Sequence, residues 1–318
     1  MSERTIGILS LVGAYTIWGL SALYYREVSH VPALEVLAHR TVWSFVAFFS
    51  IIVFQGRLGE LWAVLSPRSK WDGLYRIAPA AFFVSVNWFL FVFAIQNGQT
   101  LEASLAYYIS PIMAAAVGWA VFSEPLKGFQ WPAMALAVVA VGVLTVGLGH
   151  APWLSLAMSA SFIGYSGFKK GLKAGPTLAM AAETTILMPL SLTYLIGAQF
   201  WGWGGSETQA AGAFGSSWRD SLLLAFSGVM TGVPLVLFAM AANRVALSTL
   251  GLGHYYNATL QLIVSVVIFG QIITTFHIVA LPMVWIAVTL FSLQAIRADR
   301  QARKARKAAL SSPIEEMV

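Results

Sequence analysis

No cysteine occurs in the 318 residues. Disulfides, thiolate metal sites and cysteine nucleophiles are thereby excluded. Charge is nearly as scarce: Asp, Glu, Lys and Arg make up 10% of the chain, against about 25% in ordinary soluble domains. Enzyme signatures are missing as well. No HExxH, GxSxG, P-loop or GxGxxG stretch is present, and no acidic pair with metal-ligand spacing falls inside an apolar run. The sequence therefore offers no catalytic residues, no metal site and no cofactor site, and no nucleic acid is expected as a partner.

What the chain has instead is hydrocarbon. Hydrophobic residues make up 58% of it, and the mean hydropathy is +0.75. A soluble core of this length could not hide so much apolar surface. The runs are continuous, as in "AVVAVGVLTVGL" (137–148). A transmembrane barrel would alternate apolar and polar residues. Lipid demands that each spanning segment satisfy its own backbone, so the fold class expected is an all-α integral membrane protein. The first apolar run, from Ile6 to about Tyr25, is long enough to span and lacks a clear small-residue cleavage site. It is taken as a retained first helix.

At about 20 apolar residues per span, ten helices are expected. They fall at 6–25, 33–54, 75–96, 102–122, 129–148, 152–169, 177–199, 218–241, 248–269 and 275–296. The separators are recognisable. "GRLGELWAVLSPRSKWDG" (56–73) carries charge, Pro and Gly, and "SEPLKG" (123–128) is a short polar turn. "WGWGGSETQAAGAFGSSW" (201–218) holds Trp201, Trp203 and Trp218 at positions suited to an interfacial aromatic belt. With the N-terminus inside, 16 of the 19 Lys and Arg residues fall on the cytoplasmic side. Arg26 and Arg219 fall outside, and Arg40 lies within a span. The positive-inside rule thus predicts a multi-pass protein of the plasma (inner) membrane with both termini cytoplasmic. The basic segment 297–318 reads as a cytoplasmic tail that anchors this topology.

The two halves, 1–148 and 149–296, resemble each other faintly. "WGLSALYY" (18–25) lies on "IGYSGFKK" (163–170), matching Gly19 with Gly164 and Ser21 with Ser166. "AYYISP" (106–111) lies on "HYYNAT" (254–259), and "VFSEPLKGFQ" on "IFGQIITTFH". Offsets stay within 144–148 residues. Five helices per half is an odd number, so the halves must run in opposite senses through the bilayer. Inverted repeats of this kind enclose a midplane site in transporters.

Three stretches carry a family resemblance. They are "YTIWGLSALYY…PALEVLAHRTVWS", "ASLAYYISPIMAAAVGWAVFSE" and "VALSTLGLGHYYNATLQLIVSVVIFGQ". Through them the chain resembles the RarD (chloramphenicol-sensitivity) branch of the EamA-type drug/metabolite transporters, over nearly its whole length. The resemblance implies ten helices in two inverted EamA-like halves. It also implies a central cavity between the first, third, fourth, sixth, eighth and ninth spans. Family members end the fourth and ninth spans in Gly-Glu. Here the pairs are Ser123–Glu124 and Gly270–Gln271, and Gln271 removes an acid that could titrate.

Polar groups within spans are the default functional candidates. In the cavity-type spans these are Tyr15, Trp18, Tyr24, Asn87, Trp88, Tyr107, Tyr108, Tyr165, His254, Tyr255, Tyr256 and Asn257. Aromatic walls bury apolar area and hydroxyls orient a ligand. The cavity so read suits a small amphipathic organic solute, and the same aromatics also serve as helix-packing residues. Pro111 and Pro234 break helical hydrogen bonding locally, as hinges or as tolerated kinks. Four further polar residues lie in the second and seventh spans: Glu35, His39, Arg40 and Glu183. Glu35 and His39 share a helix face. Arg40 shares one with Val36, Trp43 and Ser44, and is expected to donate to hydroxyls or carbonyls of another helix with Trp43 beside it. The alternative for Arg40 is gating or attraction of a substrate anion. Glu183 aligns with His39 in the repeat and is either a structural hydrogen-bonding group or a proton-coupling one.

The function expected is secondary transport, exporting a small organic metabolite or drug-like amphiphile by alternating access. The partners expected are that solute and the lipid bilayer, with proton coupling as the alternative to a structural role for Glu183. The other reading is a non-transporting membrane sensor or structural subunit.

Overall fold

A computed structural model describes residues 2–66, 73–123, 125–126, 128–170, 172, 174–206, 209–245 and 247–311. Glu124 and the basic residues Arg68, Lys70, Lys127 and Lys173 lie outside these. Eleven α-helices succeed one another among the described residues. They are α1 (Glu3–Glu27), α2 (Ala33–Phe54), α3 (Leu58–Leu65), α4 (Leu74–Gln96), α5 (Thr100–Phe122) and α6 (Gln130–Leu148). Then follow α7 (Trp153–Lys169), α8 (Pro176–Trp201), α9 (Trp218–Ala242), α10 (Leu247–Ile263) with a π-helical extension (Val264–Ile268), and α11 (Thr275–Ser311).

Each of the ten expected spans coincides with a helix. Eight of these helices (α1, α2, α4, α5, α6, α8, α9 and α11) are long and apolar enough to cross a membrane. The other two, α7 and α10, have 17 residues each, and the π-helical stretch prolongs α10. Two features differ from expectation. The separator after α2 contains the extra helix α3, whose Leu61 is fully buried among Phe48, Ile52, Ile77 and Leu178. And α11 continues past residue 296 to Ser311, because Arg, Ala, Gln and Lys are strong helix formers.

The molecule's outer surface is hydrocarbon. Phe54, Phe82, Val146, Leu190 and Ile286 are exposed on their helices, while Asn87, Ser159, Thr231 and Gln261 are buried. Water would penalise that distribution, whereas lipid requires it. Trp201, Trp203 and Trp218 are exposed at the ends of α8 and α9, as an interfacial belt requires.

The chain forms two compact units. One comprises residues 1–110 and 152–272, the other 111–151 and 273–318. Each takes helices from both sequence halves. In the first, α4 packs on α7, α1 on α9, and α2 on α8. The sequence repeat pairs α1 with α7, α2 with α8, and α4 with α9, so the α4–α7 contact becomes α9–α1 when the halves are exchanged. In the second unit α6 packs on α11, and the repeat exchanges these two as well. Exchanging the halves thus maps these packings onto one another. The relation is imperfect: α2 lies extensively against α9, but its counterpart, α8 against α4, is slighter.

Small residues set the helix separations. Gly19 has Leu260 where its Cβ would be, at 2.7 Å, and its repeat partner Gly164 has Phe83 there, also at 2.7 Å. In the second unit Ala133, Ala137 and Ala140 of α6 are buried, as are Ala280, Val284 and Ala287 of α11. Without a hydrophobic driving force in lipid, such close approach supplies the dispersion contacts. Serines add interhelical hydrogen bonds. Ser155 Oγ donates to Glu102 O (2.6 Å) and Ser159 Oγ to Ala106 O (2.9 Å), fastening α7 to α5.

Candidate functional site

Within the first unit lies a cavity of about 250 Å3. Helical periodicity explains its walls. Tyr15, Trp18, Ser21 and Tyr25 lie along one face of α1, Asn87, Trp88 and Phe91 on one face of α4, and Thr231, Leu235 and Phe238 on one face of α9. Phe162 and Tyr165 of α7, and His254 and Asn257 of α10, are pairs three residues apart. Tyr107 of α5, Met180 of α8 and Arg40 of α2 complete the ring.

Arg40 is the dominant feature. It is 6% exposed and lines the cavity. Its Nε donates to Thr231 Oγ1 on α9 and its Nη1 to the Tyr25 hydroxyl on α1, each at 2.8 Å. Its guanidinium carbon lies 4.0 Å from the ring centre of Trp88 on α4, a cation–π geometry. One side chain therefore ties α2 to α1, α4 and α9. The hydroxyl partners agree with the sequence-based expectation; the aromatic partner does not. Trp43 lies instead on the Glu35–His39–Trp43 stripe, which turns toward the segment 212–214.

Around Arg40 the walls are mostly aromatic, with few polar groups. Asn87 Nδ2 donates to Met158 O (2.8 Å) and Ser161 Oγ (3.1 Å), which fixes its amide. The Asn257 amide oxygen accepts from Gln261 Nε2 at 3.4 Å. Tyr15 donates to Leu250 O at 3.2 Å and meets the His254 ring edge-on, with centroids 5.2 Å apart. Phe162 flanks the same imidazole at 6.1 Å.

Of the sequence candidates, Tyr15, Trp18, Asn87, Trp88, Tyr107, Tyr165, His254 and Asn257 line this cavity. Tyr108, Tyr255 and Tyr256 do not. Neighbouring helix residues point about 100° apart, so Tyr107 faces inward while Tyr108 turns to α10. There its hydroxyl bonds Thr259 Oγ1 (2.7 Å) and its ring stacks on Tyr255 at 6.5 Å. Tyr256 bonds Thr16 Oγ1 at 3.0 Å on an exposed face. Tyr24 donates to Leu223 O at 2.6 Å. Ser21, Tyr25, Phe91, Phe162, Met180, Thr231 and Phe238 also line the cavity and are not among the candidates drawn from the sequence. The i, i+3, i+4, i+7 spacing from Trp18 and Asn87 reaches Ser21, Tyr25 and Phe91.

The other intramembrane polar residues hold the structure together. Glu35 is 1% exposed. Its carboxylate accepts from Gly212 N (2.9 Å) and Ala213 N (2.7 Å) of the segment before α9. His39, one turn on, stacks on Phe214 at 5.1 Å. Glu183 of α8 lies 2.9 Å from Lys169 Nζ at the end of α7, and Lys169 also donates to the Tyr165 hydroxyl at 2.7 Å. Gln271 uses both faces of its amide. Its Nε2 donates to Gly98 O (2.5 Å), and its Oε1 accepts from Leu101 N (2.7 Å) and Ser265 Oγ (2.6 Å). A glutamate there could not make the first of these bonds.

Glu35→Ala is expected to release the segment 202–217. Bonds to a charged group are worth about 1.5–3 kcal/mol each, so the loss is about 3 kcal/mol after partial rescue by water. In the detergent-solubilised protein, proteinase K should cut this segment faster in Glu35→Ala, with Glu35→Gln intermediate. An unchanged cutting rate would show that the carboxylate does not hold it.

Membrane-length helices around an aromatic, cation-bearing cavity define a multi-pass membrane protein with an internal small-molecule site. Comparison with known proteins identifies the kind. A model of the EamA-like transporter family matches residues 5–146. Protein RarD of Streptomyces exfoliatus is 37% identical, over 99% of this chain and 98% of its own. An uncharacterized transporter of Vibrio cholerae is 33% identical over 93% of this chain and 95% of its own. A solved crystal structure shares the fold with a TM-score of 0.54 at 17% identity, covering 92% of this chain and 99% of that one. The chain belongs to the EamA-like transporters of the drug/metabolite superfamily, in the RarD branch.

Proposed function

We propose that the chain is a secondary transporter that moves a small organic solute outward across the plasma membrane, by alternating access to the Arg40 cavity. The observation that carries this reading is the cavity itself. It is built from eight helices, with polar groups convergent at Arg40, Asn87, His254 and Asn257. Its volume, about 250 Å3, is just below the range of drug-sized sites. The repeat supports two inverted five-helix halves, a construction that lets one side open as the other closes. The 16-to-2 split of basic residues supports cytoplasmic termini. The absence of a P-loop supports a gradient as the energy source.

In proteoliposomes the purified chain should show counterflow of a labelled solute without ATP, and an ionophore should reveal whether a proton gradient drives it. Flux that requires ATP would sink the reading. Failure of every solute in a broad metabolite library to exchange would favour a sensor or structural subunit.

A further inference from the structure

We infer that the cavity selects solutes carrying one carboxylate-like anionic group on a flat apolar body, with Arg40 as the anchor for the anion. The inference rests on the transport reading and gives it a substrate class.

A guanidinium keeps its charge and is costly to hold in a low-dielectric site without a counter-charge. Among the described residues, no acid lies within ion-pairing distance of Arg40. The deeply buried acids of its own helix and of α8 are engaged elsewhere: Glu35 on the amides of Gly212 and Ala213, and Glu183 on Lys169. Arg40 is thus a buried cation facing a cavity that holds no anion of its own.

A guanidinium carries five N–H donors in a planar fork. Two are used, by Thr231 and Tyr25. The remaining donors have no described protein acceptor, and their side chain lines the cavity. Trp88 beneath the plane, at 4.0 Å, and the two hydroxyls fix the fork's orientation. This is the pre-organisation that bidentate recognition of a carboxylate needs.

Trp18, Phe91, Phe162 and Phe238 offer apolar faces, while Asn87 and Asn257 can orient one further polar group. With Arg40 the one Lys or Arg among the described lining residues, a second anionic group on the solute would be left unpaired, and an ammonium-bearing body would be repelled. The preferred solute is therefore a monoanion with an aromatic or similarly flat body.

The test compares isosteric pairs on the parent protein in nanodiscs, so that it does not depend on a variant folding. The probes are 3-phenylpropionate with 3-phenylpropanamide, and indole-3-acetate with indole-3-acetamide. Isothermal titration calorimetry gives Kd, and proteoliposome counterflow gives transport. Each carboxylate should bind about 10- to 100-fold tighter than its amide, the worth of charge-assisted hydrogen bonds. Arg40→Gln should erase that ratio, and Arg40→Lys should keep part of it, since Lys retains charge but loses the fork. Equal binding of acid and amide, or of none of the four probes, would overturn the inference. So would chloride stabilising the protein as well as the carboxylates do, because an inorganic ion would then answer the charge. The two readings fail separately. Transport of the amides with no preference for the acids removes the anion site and leaves the transporter. Tight carboxylate binding without flux does the reverse.

Discussion

Lys169→Ala is expected to destabilise the protein by about 3–5 kcal/mol, the usual result of stripping one partner from a buried ion pair. The effect should exceed that of Glu183→Ala. Glu183 has a side chain 1% exposed, whereas Lys169 is 23% exposed. Without Lys169 the carboxylate is stranded: both of its oxygens lack a hydrogen-bond donor among the described residues, and the ion pair with Lys169 is what offsets its charge. Without Glu183 the ammonium keeps the Tyr165 hydroxyl and can extend its stem toward water. Replacing both by Met should recover stability to within about 1 kcal/mol, because an apolar pair of similar volume avoids the desolvation cost. Thermal unfolding in detergent and abundance in the membrane measure both effects. If Glu183→Ala proves the more damaging, the pair does not rest on burial of the acid.

Gly228→Val is the second large loss. A Cβ at Gly228 would stand 2.7 Å from Trp43 Cβ and 2.8 Å from the Trp43 carbonyl carbon. Backbone cannot yield as a side-chain tip can, so α2 and α9 must separate. Overpacking of this kind costs about 1–3 kcal/mol or more. The consequence reaches the cavity, because Thr231 lies one turn beyond Gly228 and accepts from Arg40. A weakened solute affinity should therefore accompany the lower melting temperature. Gly228→Ala should show the same pair of effects in milder form. Solute affinity unchanged despite a lowered melting temperature would mean that Arg40 does not need Thr231 in place.

How far these features could be read from the sequence depends on what kind of signal each gives. Hydropathy is local and strong, so a helix lies at each of the ten stretches it marks, eight of them long and apolar enough to cross a membrane, with boundaries mostly within two or three residues. Helix α3 was hidden because "LGELWAVL" sits between charge, Gly and Pro, and only burial of Leu61 against α8 makes it an element. Arg40 stood out as an anomaly in an apolar run. Its environment did not, because Tyr25 and Thr231 are ordinary residues, 15 and 191 positions away, and only the fold brings them together. The resemblance placed the cavity between six spans and left out the second and seventh. Arg40 and Met180 show that α2 and α8 each contribute a side chain as well. The tyrosine pairs misled for a related reason. Matching repeat positions drew attention to Tyr107–Tyr108 and Tyr255–Tyr256, but helix phase, not residue type, decides which side chain faces the cavity. On α10 that phase selects His254 and Asn257.

The lack of cysteine makes a single introduced thiol unambiguous, and Ser21 is the place for it. Its hydroxyl donates to Trp18 O at 2.7 Å on the cavity wall, and Ser21→Cys is close to isosteric. Reconstituted protein should be exposed to a charged, membrane-impermeant methanethiosulfonate from one face or the other, with the solute gradient set in each direction. Alternating access through this cavity predicts that Cys at position 21 reacts from both faces. It also predicts that the favoured face changes when the gradient is reversed, and that full modification stops flux. Reaction from one face only under every gradient, or flux that survives complete modification, would contradict the claim that solute passes through the Arg40 cavity.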